Sequence, residues 1–455
     1  MRLTHRLPAL LTSAVLAVSA CSAPGSGDRP AGGRSPASPT STPTDAAEPS
    51  DTSTPTPTDA AEPSATSTPQ DAVKARPNRQ LPWGPTGREL AEATRLVSGW
   101  SAERLAGQVI VGRYVGTDPA EAADLVRDLH LAGLAVASDN VVDEPQVRAL
   151  TRALTLAVAA DGRTFPPVIG VDQEGGLVAH LGSVATDYPS FDTAGSAIAA
   201  NGRAGRAVVQ RAAYTSGLEL RDLGFTWVFA PVADVTIGAA DPTIGSRSPS
   251  SDPATAAAAT LAAGDGYDAA GIVSTTKHFP GHGGVTADSH DTLPVLGSTM
   301  AELRSRDLVP FEDAVAAGAP AVMVGHLDVT ALAPGTPSTL APEVYDLLRD
   351  DLGFEGVAIT DSLGMGALAG LPKPAVTALN AGADLLLMPP DTRRTHREVT
   401  AAIRSGEVSR ERAERAAARV VALQKWQARV ARKVKVPADV ETRAAAAAAA
   451  LSAGG

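Results

Sequence analysis

A single cysteine, Cys21, in 455 residues excludes an intramolecular disulfide and any cysteine-rich metal site. Aromatic residues make up only 4% of the chain, few for a module built from stacking platforms, though a small pocket needs no more. No basic cluster is present, and the formal net charge is −11, which argues against a nucleic-acid partner. The apolar run at positions 7–18 is too short to cross a bilayer as a stable helix.

That run, preceded by Arg2, His5 and Arg6, reads as the core of an export signal over residues 1–20. Val18-Ser19-Ala20-Cys21 resembles a bacterial lipobox, so Cys21 is the expected lipidation site. The expected location is then extracytoplasmic, at the outer face of the cell membrane. Ordinary cleavage near Ala20 is the alternative. Residues 21–80 are rich in Pro, Ser, Thr and Ala, and a seven-residue stretch at 44–50 recurs at 58–64. With almost no bulky apolar side chains, this segment has too little to bury and is expected to be a disordered linker. The folded part is expected at 81–435. Residues 436–455 form an Ala-rich tail in which 444–450 suit a helix.

Within 81–435, short apolar runs alternate with helical patterns. Candidate strands are 109–113, 134–138, 168–172, 226–231, 272–278, 321–326, 356–361 and 383–388. Candidate helices include 120–129, 145–159, 203–223, 253–270, 300–317, 342–351 and 373–381. Continuous rather than alternating apolar runs suit parallel strands covered on both faces. The expected fold class is α/β, a single (β/α)8 TIM-type barrel. A doubly wound open sheet is the alternative, but no G-x-G-x-x-G follows the first strand.

Barrel enzymes carry their chemistry at the C-terminal ends of the strands. Those ends here read Asp172, Asp234, Lys277-His278, His326 and Asp361. One such Asp means little, since Asp often caps a helix, and the cap reading applies to Asp361 taken singly. Converging polar ends on several strands instead suit a small-molecule site. After Lys277-His278 come Pro280, Gly281, Gly283 and Gly284, which forbid a helix and lead to Asp288-Ser289-His290. His278, His282, His290 and Asp288 have the donor types of a metal site, but the HFPGH stretch lacks the helical HExxH spacing, so no metal is expected.

Several stretches together resemble glycoside hydrolase family 3, in its β-N-acetylglucosaminidase (β-N-acetylhexosaminidase) branch. They are Val171-Asp172-Gln173-Glu174-Gly175-Gly176, Ile244-Gly245-Ser246-Arg247-Ser248, residues 277–290, Val322-Met323-Val324-Gly325-His326 and Ile359-Thr360-Asp361-Ser362. Asp288-Ser289-His290 marks that branch against the β-glucosidases. The chain departs from the common pattern at Leu177, Pro249 and Gly284, which bears on the outer subsite.

The resemblance implies a retaining hydrolase with Asp361 as nucleophile and His290 as acid/base, oriented by Asp288. A carboxylate at a strand end can form a glycosyl ester, and imidazole titrates near neutrality without burial. The resemblance also implies that Asp172, Arg247, Lys277 and His278 hold the sugar, with His326 either touching it or bracing the rim. Asp234 reads as mainly structural, and His282 has no assigned partner. The expected partners are a carbohydrate and, through Cys21, a membrane; no cofactor is expected, and the chain is expected to be monomeric. Other readings are a phosphorylase, a lipid-anchored sugar-binding protein and a β-glucosidase.

Overall fold

The computed structural model describes residues 78–454 apart from Pro242. The export signal, Cys21 and all of the linker before residue 78 lie outside the described residues.

Eight short strands carry the fold: β1 Ile110–Gly112, β2 Gly133–Val136, β3 Val168–Val171, β4 Trp227–Val228, β5 Thr276–Phe279, β6 Ala321–Val324, β7 Val357–Thr360 and β8 Leu386–Leu387. Every residue in them is buried, as it must be when side chains point alternately into a filled barrel and under a layer of helices. Neighbours are parallel and follow chain order. The ring closes where β8 pairs with β1, Leu386 opposite Ile110 and Leu387 opposite Val111. Two joins are looser. The chain around β4 meets that around β5 through Trp227–Val273 and Val232–Lys277, and β7 meets β8 through Ile359–Leu385. Gly133 shows how tightly the wall packs, because a Cβ there would lie 1.7 Å from the Val168 carbonyl oxygen.

A helix, or a pair, follows each strand: Pro119–Asp128, Glu144–Ala160, Asp192–Asn201 with Arg203–Asp222, Pro253–Ala270, Met300–Ser305 with Val309–Ala317, Pro342–Asp346, Pro374–Ala381, and Thr392–Ser405 with Arg410–Ala431. Asp118, Asp143, Asp252 and Asp391 cap four of them by accepting from first-turn amides. Asp361 caps none; its Oδ1 accepts only from the next residue's N–H.

The expected helix at 300–317 is broken at residues 306–308. Pro310 explains the break, since its ring would clash with the Arg306 carbonyl and it has no N–H to donate. The expected helix at 342–351 leaves α geometry after Asp346 for a wider turn over Leu347–Asp351. The Ala-rich tail is docked. Helix Val440–Gly454 lies on Asp192–Asn201 and Arg203–Asp222, burying Val440, Ala444, Ala447, Ala448 and Leu451 at helical spacing. Asn201 Nδ2 donates to the Gly454 carbonyl at 3.1 Å. Among the described residues no helix is long and apolar enough to cross a membrane.

Candidate active site

At the rim, β3 runs out into Asp172 and a small hairpin, Gln173–Gly175 against Val178–Ala179. On extended backbone, Asp172 and Glu174 share a face. Both meet Lys277 of β5, whose Nζ lies 2.5 Å from Asp172 Oδ1 and 2.6 Å from Glu174 Oε1. Glu174 also grips Arg247, on the turn Gly245–Arg247, in a two-pronged pair: Nε to Oε2 at 2.9 Å and Nη2 to Oε1 at 2.8 Å. Two carboxylates and two cations thus balance, Glu174 and Lys277 out of water and Asp172 at the edge, and each buried charge has its partner. Burial pushes the Glu174 carboxyl up, but Lys277 and Arg247 outweigh it and hold it well below the usual carboxylate range. Burial would likewise discharge Lys277, yet Asp172 and Glu174 keep it protonated. The Glu174 side chain is 2% exposed and that of Asp172 23%, so Asp172 is the member that faces outward.

His278 follows Lys277; the Lys277–His278 and Phe279–Pro280 peptides are both cis. The His278 ring lies with Nδ1 2.7 Å from Asp234 Oδ2, and its backbone N–H donates to Oδ1 at 3.1 Å. The same Oδ1 accepts from the His282 N–H at 2.7 Å. Asp234 is fully buried; burial opposes its ionisation, but the His278 ring and these N–H groups keep it a carboxylate. It therefore fixes the orientation of the His278 ring, with Nδ1 toward the carboxylate and Nε2 toward Arg247, 3.4 Å from its Nη2. Asp234 is in this sense a positioning residue for His278.

Asp361 ends β7. Burial raises its pKa, but the His278 ring, the Ser362 N–H at 2.7 Å and the Lys277 ammonium bring it down to about 2. It is a carboxylate throughout the neutral range. His326, after β6, uses both ring nitrogens on the protein: Nε2 faces the Ser362 carbonyl at 2.9 Å and Nδ1 faces Thr339 Oγ1 at 2.6 Å. It braces the loop beside Asp361, and only its ring face is left to offer a sugar.

Asp288 and His290 lie on the loop after β5. His290 Nδ1 is 2.8 Å from Asp288 Oδ1, and the His290 N–H donates to the same oxygen at 2.9 Å. Nδ1 therefore carries the proton, and Nε2 is free to give or take one. The pair is open to solvent, with side chains 64% and 40% exposed. Its backbone is tied to the loop that follows Asp361: Gly366 N–H donates to the His290 carbonyl at 2.9 Å and Ala367 N–H to that of Ser289 at 3.1 Å. The histidines face separate partners (Asp234, Ser289 and Asp288), and among the described residues no set of three metal-ligating side chains converges.

The structure thus brings Asp172, Arg247, Lys277 and His278 into one network, with His326 and Asp361 beside it and the Asp288–His290 loop bonded to the loop after Asp361. Cys21 lies outside the described residues. Sequence reasoning passed over Glu174, the hub of the network; its signal was an acid two residues beyond Asp172, hence on the same face.

Such a rim belongs to a barrel enzyme that grips a polyhydroxylated substrate: paired charges and fixed histidines, with one ionised carboxylate among them. Residues 103–423 match the glycosyl hydrolase family 3 N terminal domain, and the chain belongs to that family. It is a glycoside hydrolase. The chain is 36% identical over 273 residues to a beta-hexosaminidase of Stenotrophomonas maltophilia, covering 59% of this chain and 79% of that protein. It is 33% identical over 362 residues to the beta-hexosaminidase LpqI of Mycobacterium tuberculosis, covering 74% and 87%. Among solved structures, a glycoside hydrolase family 3 beta-N-acetylglucosaminidase from Paenibacillus superposes with a TM-score of 0.69 at 32% identity. That match covers 72% of this chain and 63% of the Paenibacillus chain, which is the longer one.

Proposed function

We propose that the chain is a retaining exo-β-N-acetylglucosaminidase that removes terminal β-linked N-acetylglucosamine from peptidoglycan or chitin fragments. The observation that carries this reading is the Asp288–His290 pair, a solvent-exposed imidazole with Nδ1 tied to a carboxylate and Nε2 free, on a loop whose backbone is hydrogen-bonded to the loop after the ionised Asp361. The beta-hexosaminidase and beta-N-acetylglucosaminidase names of the relatives support the substrate class.

In the first step an Asp361 oxygen attacks the anomeric carbon, and the bond to the leaving oxygen breaks. The His290 imidazolium gives its Nε2 proton to that oxygen, and a glycosyl ester on Asp361 results. In the second step neutral Nε2 takes a proton from water, whose oxygen attacks the anomeric carbon and frees Asp361 with overall retention. Asp172 accepts from sugar hydroxyls, and the unpaired N–H groups of Lys277 and Arg247 donate to them. The lipobox at residues 18–21 supports an anchored, extracytoplasmic enzyme.

The test is release of an aryl aglycone from the β-N-acetylglucosaminide and the β-glucoside, by the full chain, with and without phosphate. Selective turnover of the N-acetyl sugar without phosphate is expected. Asp361→Asn should reduce it by roughly 1,000-fold or more. A phosphate-dependent sugar 1-phosphate product, or an active Asp361→Asn protein, would overturn the reading.

A further inference from the structure

Between the exposed Asp288 and His290 lies Ser289, which is 2% exposed. Its hydroxyl is 2.8 Å from Nε2 of His282, itself 2% exposed. The His282 Nδ1 is buried and meets no hydrogen-bond partner. The proton therefore belongs on Nε2, which donates to Ser289 Oγ. Burial lowers the His282 pKa, which holds the ring neutral and keeps this donor–acceptor sense.

His282 is itself anchored. Its N–H donates to Asp234 Oδ1, and Asp234 holds both the ring and the backbone of His278. The His278 and His282 rings meet edge to face at 5.9 Å. A continuous line of hydrogen bonds thus runs from His278 through Asp234 to His282, then to Ser289 in the middle of the Asp288–His290 pair. Between the ends of the His282–Ser289 link, Gly283 is held by the Ile237 N–H, which donates to its carbonyl at 2.9 Å, so the inner part of the loop is tied to the barrel and Ser289 ties its outer part.

We propose that His282 and Ser289 are positioning residues that register the His290 proton donor against the sugar-binding His278. This rests on the reading of His290 as acid/base. The loop alternates outward, inward, outward over Asp288, Ser289 and His290. Releasing the inward residue lets the outward pair shift or turn relative to the leaving oxygen. The chemistry of Asp361 and the grip on the sugar stay as they are. The signature is a first-step loss confined to substrates whose leaving oxygen must be protonated.

The experiment compares Ser289→Ala, Ser289→Thr, His282→Ala and the Ser289→Ala/His282→Ala double variant with the parent enzyme. Two N-acetylglucosaminides are used, a dinitrophenyl glycoside with a good leaving group and an unactivated disaccharide. Folding is checked by thermal midpoint. Ser289→Ala should lower kcat/KM on the disaccharide about tenfold, the scale of one lost buried hydrogen bond, with kcat/KM for dinitrophenol release, which reports a first step that needs no acid, within about twofold. Ser289→Thr, which keeps the hydroxyl, should restore most of the loss. The double variant should lose no more than the worse single variant, since both remove the same link. Equal losses of kcat/KM on both substrates, or additive losses, would overturn the proposal. If Ser289→Ala does not fold, the substrate comparison on Ser289→Thr and His282→Ala decides in the same way. His290→Ala is the control. If it shows no leaving-group dependence, the acid/base reading fails; if it does and the Ser289 and His282 variants do not, only this inference fails.

Discussion

The floor of the site and the loop above it solve opposite problems. The floor is a closed set of charges. Lys277 lies between Asp172 and Glu174, Arg247 is clamped on Glu174, and His278 is fixed on Asp234, nearly all out of water. The loop is open. Asp288 and His290 are exposed and hold chiefly to each other and to the Gly366–Ala367 backbone. Recognition of a fixed sugar is served by rigid donors and acceptors already paired before substrate arrives. Proton transfer is served by an imidazole near water, whose ionisation burial would distort. In the proposed mechanism the donor thus lies on the open loop, and the paired charges that would grip the sugar lie in the closed floor.

The comparison breaks most severely at its hub. Glu174→Gln leaves Lys277 and Arg247 short of a buried counter-charge. It should cost about 3–5 kcal/mol of stability together with most of the turnover, measured by urea unfolding and kcat. A stability change below about 1 kcal/mol would mean that the floor is not the closed set of charges described above. The loop should behave differently. His290→Ala should leave urea unfolding nearly unchanged, since the ring is exposed, yet lower turnover of an unactivated glycoside by roughly 100-fold or more. A dinitrophenyl glycoside, which leaves without protonation, should be far less affected in its first step. Loss of stability in this variant would show that the loop is structural.

The smallest effect sharpens the boundary between the two regions. Asp307, at the helix break before Pro310, is buried against Gly281 and Gly284 at the root of the loop. Neither of its oxygens has a hydrogen-bond partner, and Arg306 is 4.0 Å away. Burial pushes its carboxyl up to about 6. A carboxyl raised above its unfolded value of about 3.9 destabilises the fold as pH rises through that window, because the unfolded chain ionises first. The wild type should therefore lose about 2 kcal/mol from this group between pH 4.5 and 7.5, and Asp307→Asn should remove that part of the slope. Parallel pH profiles for the two proteins in chemical denaturation would refute it.

Much of this was legible in the chain. Seven of the eight strands begin and end within three residues of the apolar runs that announce them, because a strand buried on both faces is mostly apolar; β5, Thr276–Phe279, begins four residues after its run does and carries the buried Lys277 and His278. The rim residues were legible for the same reason, since polarity returns abruptly where the apolar runs end, at Asp172, Lys277, His326 and Asp361. The break at 306–308 was also written in the sequence, as Pro310, although the helical pattern around it masked the signal. The docking of Val440–Gly454 was not legible: a run of alanines has no contrast between faces until a partner surface selects one.

The sequence by itself determined the class of fold, the order of its elements and the identity of the polar residues at each strand end. These depend on local pattern, period and turn chemistry. Only the tertiary structure decided which of those residues meet. Lys277 and Asp172 are 105 residues apart, and their contact depends on barrel closure to within an ångström. The same holds for the choice of Glu174 as hub, for Asp234 as the anchor of two histidines, and for the inward turn of Ser289. Pairing of charges is a three-dimensional property. It requires excluded water and matched distance, and neither exists until the strands have closed.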